Sequence, residues 1–584
     1  MKRILLIVAL FALVAVGFAP AAAQDAPDGI FPGTWPYSLP PTHHLNLFAA
    51  GGPHDSTGIG NFYRQMVVMP FGFYRWDSAT YEGLLAESWG FNEDNTKYVV
   101  TIKEGTWSDG TPLTANDAVV TYAIGRILNW ADWNYLSDVV AVDDRTVEFI
   151  FNETGAGYTA ERLIMKTRIA PAATYQALAD EATALIAAGK TSDDQEWTDL
   201  ATKIAEFRPD VLLASGPYTY SLEDIGDSYM TLHWQPNSIY SGSVQFGEIR
   251  LWQGETESTT PLVLNGDIAW ATNVYPPATQ QAFVDAGIRL VNVPLGYGAA
   301  LLMQHDTYPF NIKEVRQAMA YAIDRDENAF FTNGFGATGT EYMAGVLDTM
   351  VSTLLDADSI AKLNHYDFDV DRAAELMETA GFTRDADGKW VDAEGKRISV
   401  EYKAPAEFAD FLGASTNAVE QLNEFGFDIT LRAIPWQQTA EDIRQGNFQL
   451  SVWSWAGGNP LASRQFFGPI QRFNYVGLSD GQKGMNFPME FEYNGEMINL
   501  DALINDVSSG FDRDAQAQRA GRVALILNDL MPFIPLNIIS AAQPFNESIL
   551  TGAPADGDPL YAAPLDDAWM LKLLLEGVVR PAGS

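Results

Sequence analysis

The second half of this chain alternates between two hydrophobic periods, and that alternation restricts the fold more than any single motif. Residues 417–425 carry apolar side chains at helical spacing, 428–434 alternate as a strand, 440–444 return to helical spacing, and 449–454 are again strand-like. Helix and strand taking turns is the signature of an α/β layer architecture. Upstream, the same reading predicts one helix over 311–331, with Val315, Ala318, Met319, Ala322 and Ile323 on one face, and another over 371–380 closed by Gly381. Strands are expected at 99–103, 146–151, 215–220 and 248–252, helical stretches at 174–188 and 196–206, and a hairpin through Trp390 and 398–402. At 584 residues and 47% hydrophobic content, the chain is long enough for more than one domain.

The ends and the composition exclude several classes of function. Met1-Lys2-Arg3 precedes an unbroken apolar run over 4–18, and Ala21-Ala22-Ala23 then supply the small residues of a cleavage site. The run is short of the roughly 20 residues a membrane span needs. Residues 1–23 are therefore expected to be a signal peptide, with Gln24 as the new N-terminus. The chain has no cysteine, which excludes disulfides, thiolate metal sites, a thiol nucleophile and a lipid-anchored cysteine. An exported protein, periplasmic or at the cell surface, is expected. The formal net charge is −39, and −41 once Lys2 and Arg3 leave with the signal, so nucleic acid is not an expected partner. His43-His44 sit among only six histidines with no metal-binding spacing, and Asp385-Ala386-Asp387-Gly388 lacks the later residues of a calcium loop, having Trp390 and Lys396 where Gly and Glu are needed. No metal site, cofactor or catalytic residue is expected.

One stretch, 105–122 (GTWSDGTPLTANDAVVTY), reads as a turn at Ser108-Asp109-Gly110-Thr111-Pro112 followed by a helix capped by Thr114 or Asn116. Together with the Tyr81–Trp89 run YEGLLAESW, it resembles the family-5 extracellular solute-binding proteins, the peptide- and oligosaccharide-type receptors of ABC importers. Ser215-Gly216-Pro217-Tyr218, Asn265-Gly266-Asp267-Ile268, the run VRQAMAYAIDR over 315–325 and the segment 371–382 are similar to further motifs of that family, in the same order. The resemblance implies an α/β, periplasmic-binding-protein type II-like fold, with two lobes joined by a hinge and an additional subdomain in the N-terminal lobe. Lobe I would comprise 24–65, 205–295 and 525–584, the subdomain 66–204 and lobe II 296–524. A small oligomeric solute would lie between the lobes of a monomer, and a membrane permease would be the protein partner.

Peptide binders of the family typically place an ammonium-pairing acid in a W-x-x-D-x-x-D-P segment. Here the run is Trp453-Ser454-Trp455-Ala456-Gly457-Gly458-Asn459-Pro460, in which Asn459 stands before the proline and the pairing acid has no counterpart. Flat indoles and amides, by contrast, suit sugar rings and their hydroxyls. Trp436, Trp453, Trp455, Asn459 and Trp270 are therefore the candidate ligand contacts, with an oligosaccharide preferred to a peptide. Trp453 and Trp455 also stand at strand spacing, which is equally the pattern of a core. A secreted glycoside hydrolase and a solute-sensing receptor for a signalling partner are the alternative readings.

Overall fold

The computed structural model describes residues 25–35, 43–54, 59–60, 62–153, 157–479, 481–564 and 567–583. The expected signal peptide, 1–23, and Gln24 lie outside the described residues.

The chain enters lobe I with β1 (Ile30–Trp35) and then leaves for the subdomain. Four antiparallel strands, β2 (Ala86–Phe91), β3 (Lys97–Ile102), β4 (Leu136–Ala141) and β5 (Thr146–Phe151), form its sheet in the order β2-β3-β5-β4. Every second residue of β3 and β5 is buried, the strand period of two turned to a core on one face. The 108–112 turn leads into α1 (Ala115–Ile127), and Thr114 is its cap: the Thr114 backbone N–H donates to Asp117 Oδ2 at 2.6 Å in a capping box. Asn116 instead bonds Gln176. Helices α2 (Tyr158–Lys166), α3 (Ala172–Ala187) and α4 (Gln195–Glu206) complete the subdomain. One apolar cluster runs from Phe31 through Tyr122 and Ile204 to Trp270 and Trp569, so subdomain and lobe I share a single core.

Strands β6 (Tyr218–Thr219), β7 (Tyr229–Trp234) and β8 (Glu248–Gln253) finish the lobe I sheet, β1-β8-β7-β6, with β1 parallel to β8. After α5 (Thr256–Asn265) and α6 (Pro277–Asp285), the 15-residue β9 (Arg289–Met303) carries the chain out of lobe I.

Lobe II begins with α7 (Lys313–Tyr321) and α8 (Arg325–Asn333). The single helix expected over 311–331 is thus two, because the Asp324 side chain accepts the Glu327 N–H at 3.0 Å and starts a new helix there. β10 (Ala337–Gly339) and α9 (Val370–Thr379) follow, then an alternating run: β11 (Ser399–Pro405), α10 (Ala409–Glu424), β12 (Asp428–Ile434), α11 (Trp436–Gln445) and β13 (Leu450–Trp455). β12 and β13 both run parallel to β11, as helix-linked crossovers require. The hairpin expected between Trp390 and 398–402 is present but short: Val391 bridges Arg397 in the antiparallel sense, and the Ile398 N–H donates to the Trp390 carbonyl at 3.2 Å. Trp390–Val391 pairs with Thr383–Arg384, and the later segment is taken up in β11, because parallel pairing with β12 buries its alternate residues.

The long α12 (Arg513–Leu530), β14 (Phe533–Pro535) and β15 (Asn537–Phe545) end lobe II. The full sheet order is β10-β15-β9-β13-β11-β12, with β14 also paired to β9. The first half of β9 pairs with β15, and the second half with β13 and β14; a bulge between Pro294 and Tyr297 divides the two halves. β9 and β15 therefore form the crossing between lobes. A boundary at 524/525 falls inside α12, whose Ala520, Val523, Ala524 and Leu527 pack into the lobe II core. The helix has no stop signal until Met531, in the left-handed region at φ +44, so the return to lobe I waits for β15. The terminal α13 (Trp569–Leu575) packs back into lobe I.

Candidate functional site

The parallel strands of lobe II end at one edge of the sheet, and loops at the carboxyl ends of such strands are where open α/β sheets hold ligands. Beyond β11 come Glu407 and Phe408, beyond β12 comes Trp436, and β13 itself contributes Trp453. Phe408 stacks on Trp436, with centroids 5.8 Å apart and planes at 19°, and lies 6.1 Å from Trp453. Phe411 extends the group, 5.9 Å from Trp453 and 6.4 Å from Tyr297 on the hinge strand β9. The Trp436 backbone N–H donates to Glu407 Oε2 at 2.9 Å, which fixes the start of α11 against the loop before α10. Trp436 and Trp453 are half-buried, so this aromatic wall keeps open faces.

Lobe I presents the opposite side. Glu255 precedes α5, where Thr256 Oγ1 donates to the Val274 carbonyl and Asn273 Nδ2 to the Gly254 carbonyl, at 2.9 and 3.0 Å. Val274 packs with Leu295 and Tyr297 at the hinge. The Glu255 carboxyl is pushed up to about 8, first by burial and then by the negative charges of Asp410 and Glu407 across the gap. Burial likewise pushes Asp410 up to about 6, although the Phe411 N–H and the Tyr297 hydroxyl stabilise its charge. Glu255 of lobe I is thus within electrostatic reach of Asp410 and Glu407 of lobe II. Among the described residues, no three acidic or histidine side chains stand close enough to hold a metal ion. His44 is used structurally, its ring bonded to the Asn46 N–H and the Ala50 carbonyl.

Two of the five candidate residues are not available to a ligand. Trp455 is 0% exposed, and its Nε1–H donates to the Asn537 carbonyl at 2.9 Å. It fits there because residue 298, opposite it across the β9–β13 pair, is glycine: a Cβ on Gly298 would stand 2.7 Å from Trp455 Nε1 and 1.6 Å from the Asn537 oxygen. Trp270 is also 0% exposed, ringed by Phe31, Phe62, Tyr63 and Trp569, with its Nε1–H on Gln543 Oε1 at 3.1 Å. Both indoles are core, corrected from the expectation of ligand contact. Asn459 is half-buried; its Oδ1 accepts the Leu461 N–H and its carbonyl accepts from Gln465 Nε2, so it shapes the loop after β13. Gly458 in that loop donates to the Gly296 carbonyl at 2.7 Å, tying the loop to the hinge bulge. Counting from Trp453, the place of the family's pairing acid is held by Ala456, which is buried. Glu255, Glu407, Asp410, Tyr297 and Phe408 were not legible as site residues, since nothing local distinguishes them from solvated acids and core rings.

A cavity of about 420 Å³ lies between Phe48, Trp130, Asp132, Lys166 and Arg168, and Asp132 is within electrostatic reach of Arg464 from lobe II. A larger hollow, about 840 Å³, lies on lobe II between α7, α9 and α12 and takes no residue from lobe I. At the outer rim, Phe511 of lobe II sits edge-on to Phe91 at 4.7 Å and to Tyr158 at 5.5 Å, while Arg513 lies over the Tyr158 ring at 3.5 Å. These contacts hold the lobes together without any ligand. Phe511→Ala is expected to shift the empty protein toward the open form by about 1 kcal/mol per lost ring pair. A larger radius of gyration in solution scattering, with unchanged unfolding midpoint, is the expected readout; an unchanged radius would show that the clasp does not hold the lobes.

Residues 80–470 match the family model described as bacterial extracellular solute-binding proteins, family 5 Middle. Among solved structures, the chain is similar to the periplasmic oligopeptide-binding protein of a Thermotoga maritima oligopeptide ABC transporter, bound to mannohexaose: 19% identity, 96% of this chain and 100% of that one, TM-score 0.73. It is similar to AppA of Bacillus subtilis in complex with a nonapeptide, at 17% identity over 96% and 100% of the chains and TM-score 0.67. AgaA of A. tumefaciens R10, in complex with agropinic acid, gives 14% identity over 95% and 99% and TM-score 0.63. At these identities the likenesses speak for the two-lobed fold. A protein of Sinorhizobium fredii, y4wM, is 22% identical over 78% of this chain and 71% of its own length.

Proposed function

The chain belongs to the bacterial extracellular solute-binding proteins of family 5, and from that premise we propose that it captures a solute between its lobes and delivers it to the permease of an ABC importer. The reading includes export by the N-terminal signal and action as a monomer in the periplasm or at the cell surface. The observation that carries it is the half-exposed wall of Trp436, Phe408 and Trp453, facing lobe I across the hinge crossing. A ligand touching both sides interacts with the closed form more than with the open one, and only that difference moves the equilibrium.

The wall favours a solute with flat, ring-like apolar faces, an oligosaccharide before a peptide. The likeness to a protein crystallised with mannohexaose agrees with this, and the one crystallised with a nonapeptide keeps peptides as the rival. A thermal-shift panel of oligosaccharides and short peptides tests the choice: a ligand at 100 times its dissociation constant adds about 2.7 kcal/mol. Trp436→Ala is expected to weaken the stabilising ligand by about tenfold or more while leaving the unfolding midpoint of the empty protein nearly unchanged. Undiminished affinity in that variant would remove the wall from the site. Release of product from a chromogenic oligosaccharide would make the protein a hydrolase instead.

A further inference from the structure

We infer that the hollow confined to lobe II is a second binding site, one for an uncharged saccharide, and that a ligand there leaves the opening and closing of the lobes unchanged. The inference goes beyond the receptor function proposed above and stands whether or not the cleft itself takes a saccharide.

The hollow's volume, about 840 Å³, lies within the range of small-molecule sites, and separate stretches of the chain wall it. Beside α7, α9, α12 and the 356–366 segment, one wall is a hairpin of strands Glu490–Tyr493 and Glu496–Asn499. Its turn is Asn494-Gly495, both at positive φ (+52 and +82), the two-residue geometry that fixes register. That register pairs Phe491 with Ile498 and Tyr493 with Glu496, which puts these four on one face. Ile498 is buried and Met497, on the opposite face, is exposed, so the face carrying Tyr493 is the one turned to the hollow. Arg522 of α12 holds the hairpin by an ion pair to Glu496 at 2.8 Å.

The floor is braced by its own hydrogen bonds. Tyr366, buried beneath Tyr321 with centroids 4.9 Å apart, donates to the Asn528 carbonyl at 2.8 Å, and Gln317 Nε2 donates to the Asp529 carbonyl at 2.7 Å. Asn364 Nδ2 donates to the Tyr321 hydroxyl at 2.8 Å. A lining fixed in this way loses little freedom when a ligand arrives. Two half-buried rings, Tyr321 and Tyr493, border the space with Leu525, and such rings stack on the apolar face of a pyranose.

Charge decides the class of ligand. The chain has 75 acids against 36 bases, yet the bases Lys362, Arg372 and Arg522 nearly match the acids of the hollow. Most of these charges are already engaged: Glu496 with Arg522, Asp529 with Lys313 at 3.1 Å, Arg372 with Glu375 at 2.8 Å, and Asp356 with the Ser359 N–H at 3.0 Å. Among the described residues, no hydrogen bond or ion pair engages the side chain of Asp358, Lys362 or Gln518. One acid, one base and one amide remain, which accept from and donate to hydroxyls and together carry no net charge. A simple cation would meet Lys362 and a simple anion Asp358, whereas a neutral polyhydroxylated ring suits both. Every lining residue belongs to lobe II, so the ligand makes the same contacts in the open and closed forms, and equal affinity shifts neither.

Calorimetry and solution scattering of the full mature chain, with mannohexaose and cellotetraose as probes, test this in the Trp436→Ala background, where the cleft wall is impaired. At least one saccharide is expected to bind there without reducing the radius of gyration. Adding Tyr493→Ala is expected to weaken that binding about tenfold, and Tyr493→Phe to keep most of it. Asp358→Ala, at an exposed and unpaired side chain, is expected to weaken it about fivefold with an unchanged unfolding midpoint. Failure of both saccharides to bind the Trp436→Ala protein overturns the inference, as does binding that the Tyr493→Ala and Asp358→Ala variants both leave unchanged. Binding that contracts the protein assigns the saccharide to the cleft and overturns it too. A saccharide bound by wild type and lost entirely in Trp436→Ala removes the hollow as a site and leaves the receptor function standing.

Discussion

Asp567→Ala is expected to destabilise the protein by about 3–5 kcal/mol, the cost of breaking a buried charge cluster by removing one partner. The Asp567 side chain is 1% exposed and joins the C-terminal segment to the subdomain. Its Oδ1 accepts from Lys166 Nζ and its Oδ2 from Arg162 at 3.1 Å and from the Trp76 indole at 3.2 Å. Removing the carboxylate strands two cations in a low-dielectric pocket, and Arg162 is itself buried over the Tyr74 ring. Burial alone raises the Asp567 pKa, but Lys166 and Arg162 outweigh it and hold the group below the ordinary carboxylate value. The stabilisation is therefore fully present above about pH 4, the unfolded value, and is lost as pH falls through the lower folded value. Urea unfolding at neutral and acidic pH checks both claims. A loss under about 1 kcal/mol at neutral pH would mean that the three groups are held by the surrounding packing rather than by one another.

Trp455→Ala is expected to cost about 3–5 kcal/mol as well, by a different mechanism, and to leave ligand affinity within about twofold in the folded protein. The substitution opens a cavity in the lobe II core cluster to which Trp455 belongs and removes the indole N–H that the Asn537 carbonyl accepts. Trp436→Ala should do the reverse, with affinity lost and stability kept. Melting temperature and titration on the two variants separate depth from contact. An affinity loss in Trp455→Ala larger than in Trp436→Ala would return the deeper indole to the binding surface.

What the sequence by itself determined is whatever is written within a few residues. The Thr114–Asp117 capping box, the glycine stop after α9, the alternation from α10 to β13 and the ordered family motifs are all local, and they suffice for the α/β class and the family. Where two local signals competed, the reading failed. Helical period across 311–331 concealed the Asp324 cap, and the boundary at 525, implied by the family resemblance, falls inside α12.

Depth and distance belonged to the tertiary structure alone. Strand spacing places Trp453 and Trp455 on one face, but which of them is covered depends on Gly298 and Asn537, contributed by strands far away in sequence. Glu255 and Asp410 look like ordinary solvated acids in their own segments, and they acquire their shared electrostatics only when β9 and β15 bring the two lobes face to face. Periodicity records which side of an element is apolar. It carries no trace of what the other lobe will place opposite it, and in a cleft between lobes that is what makes the site.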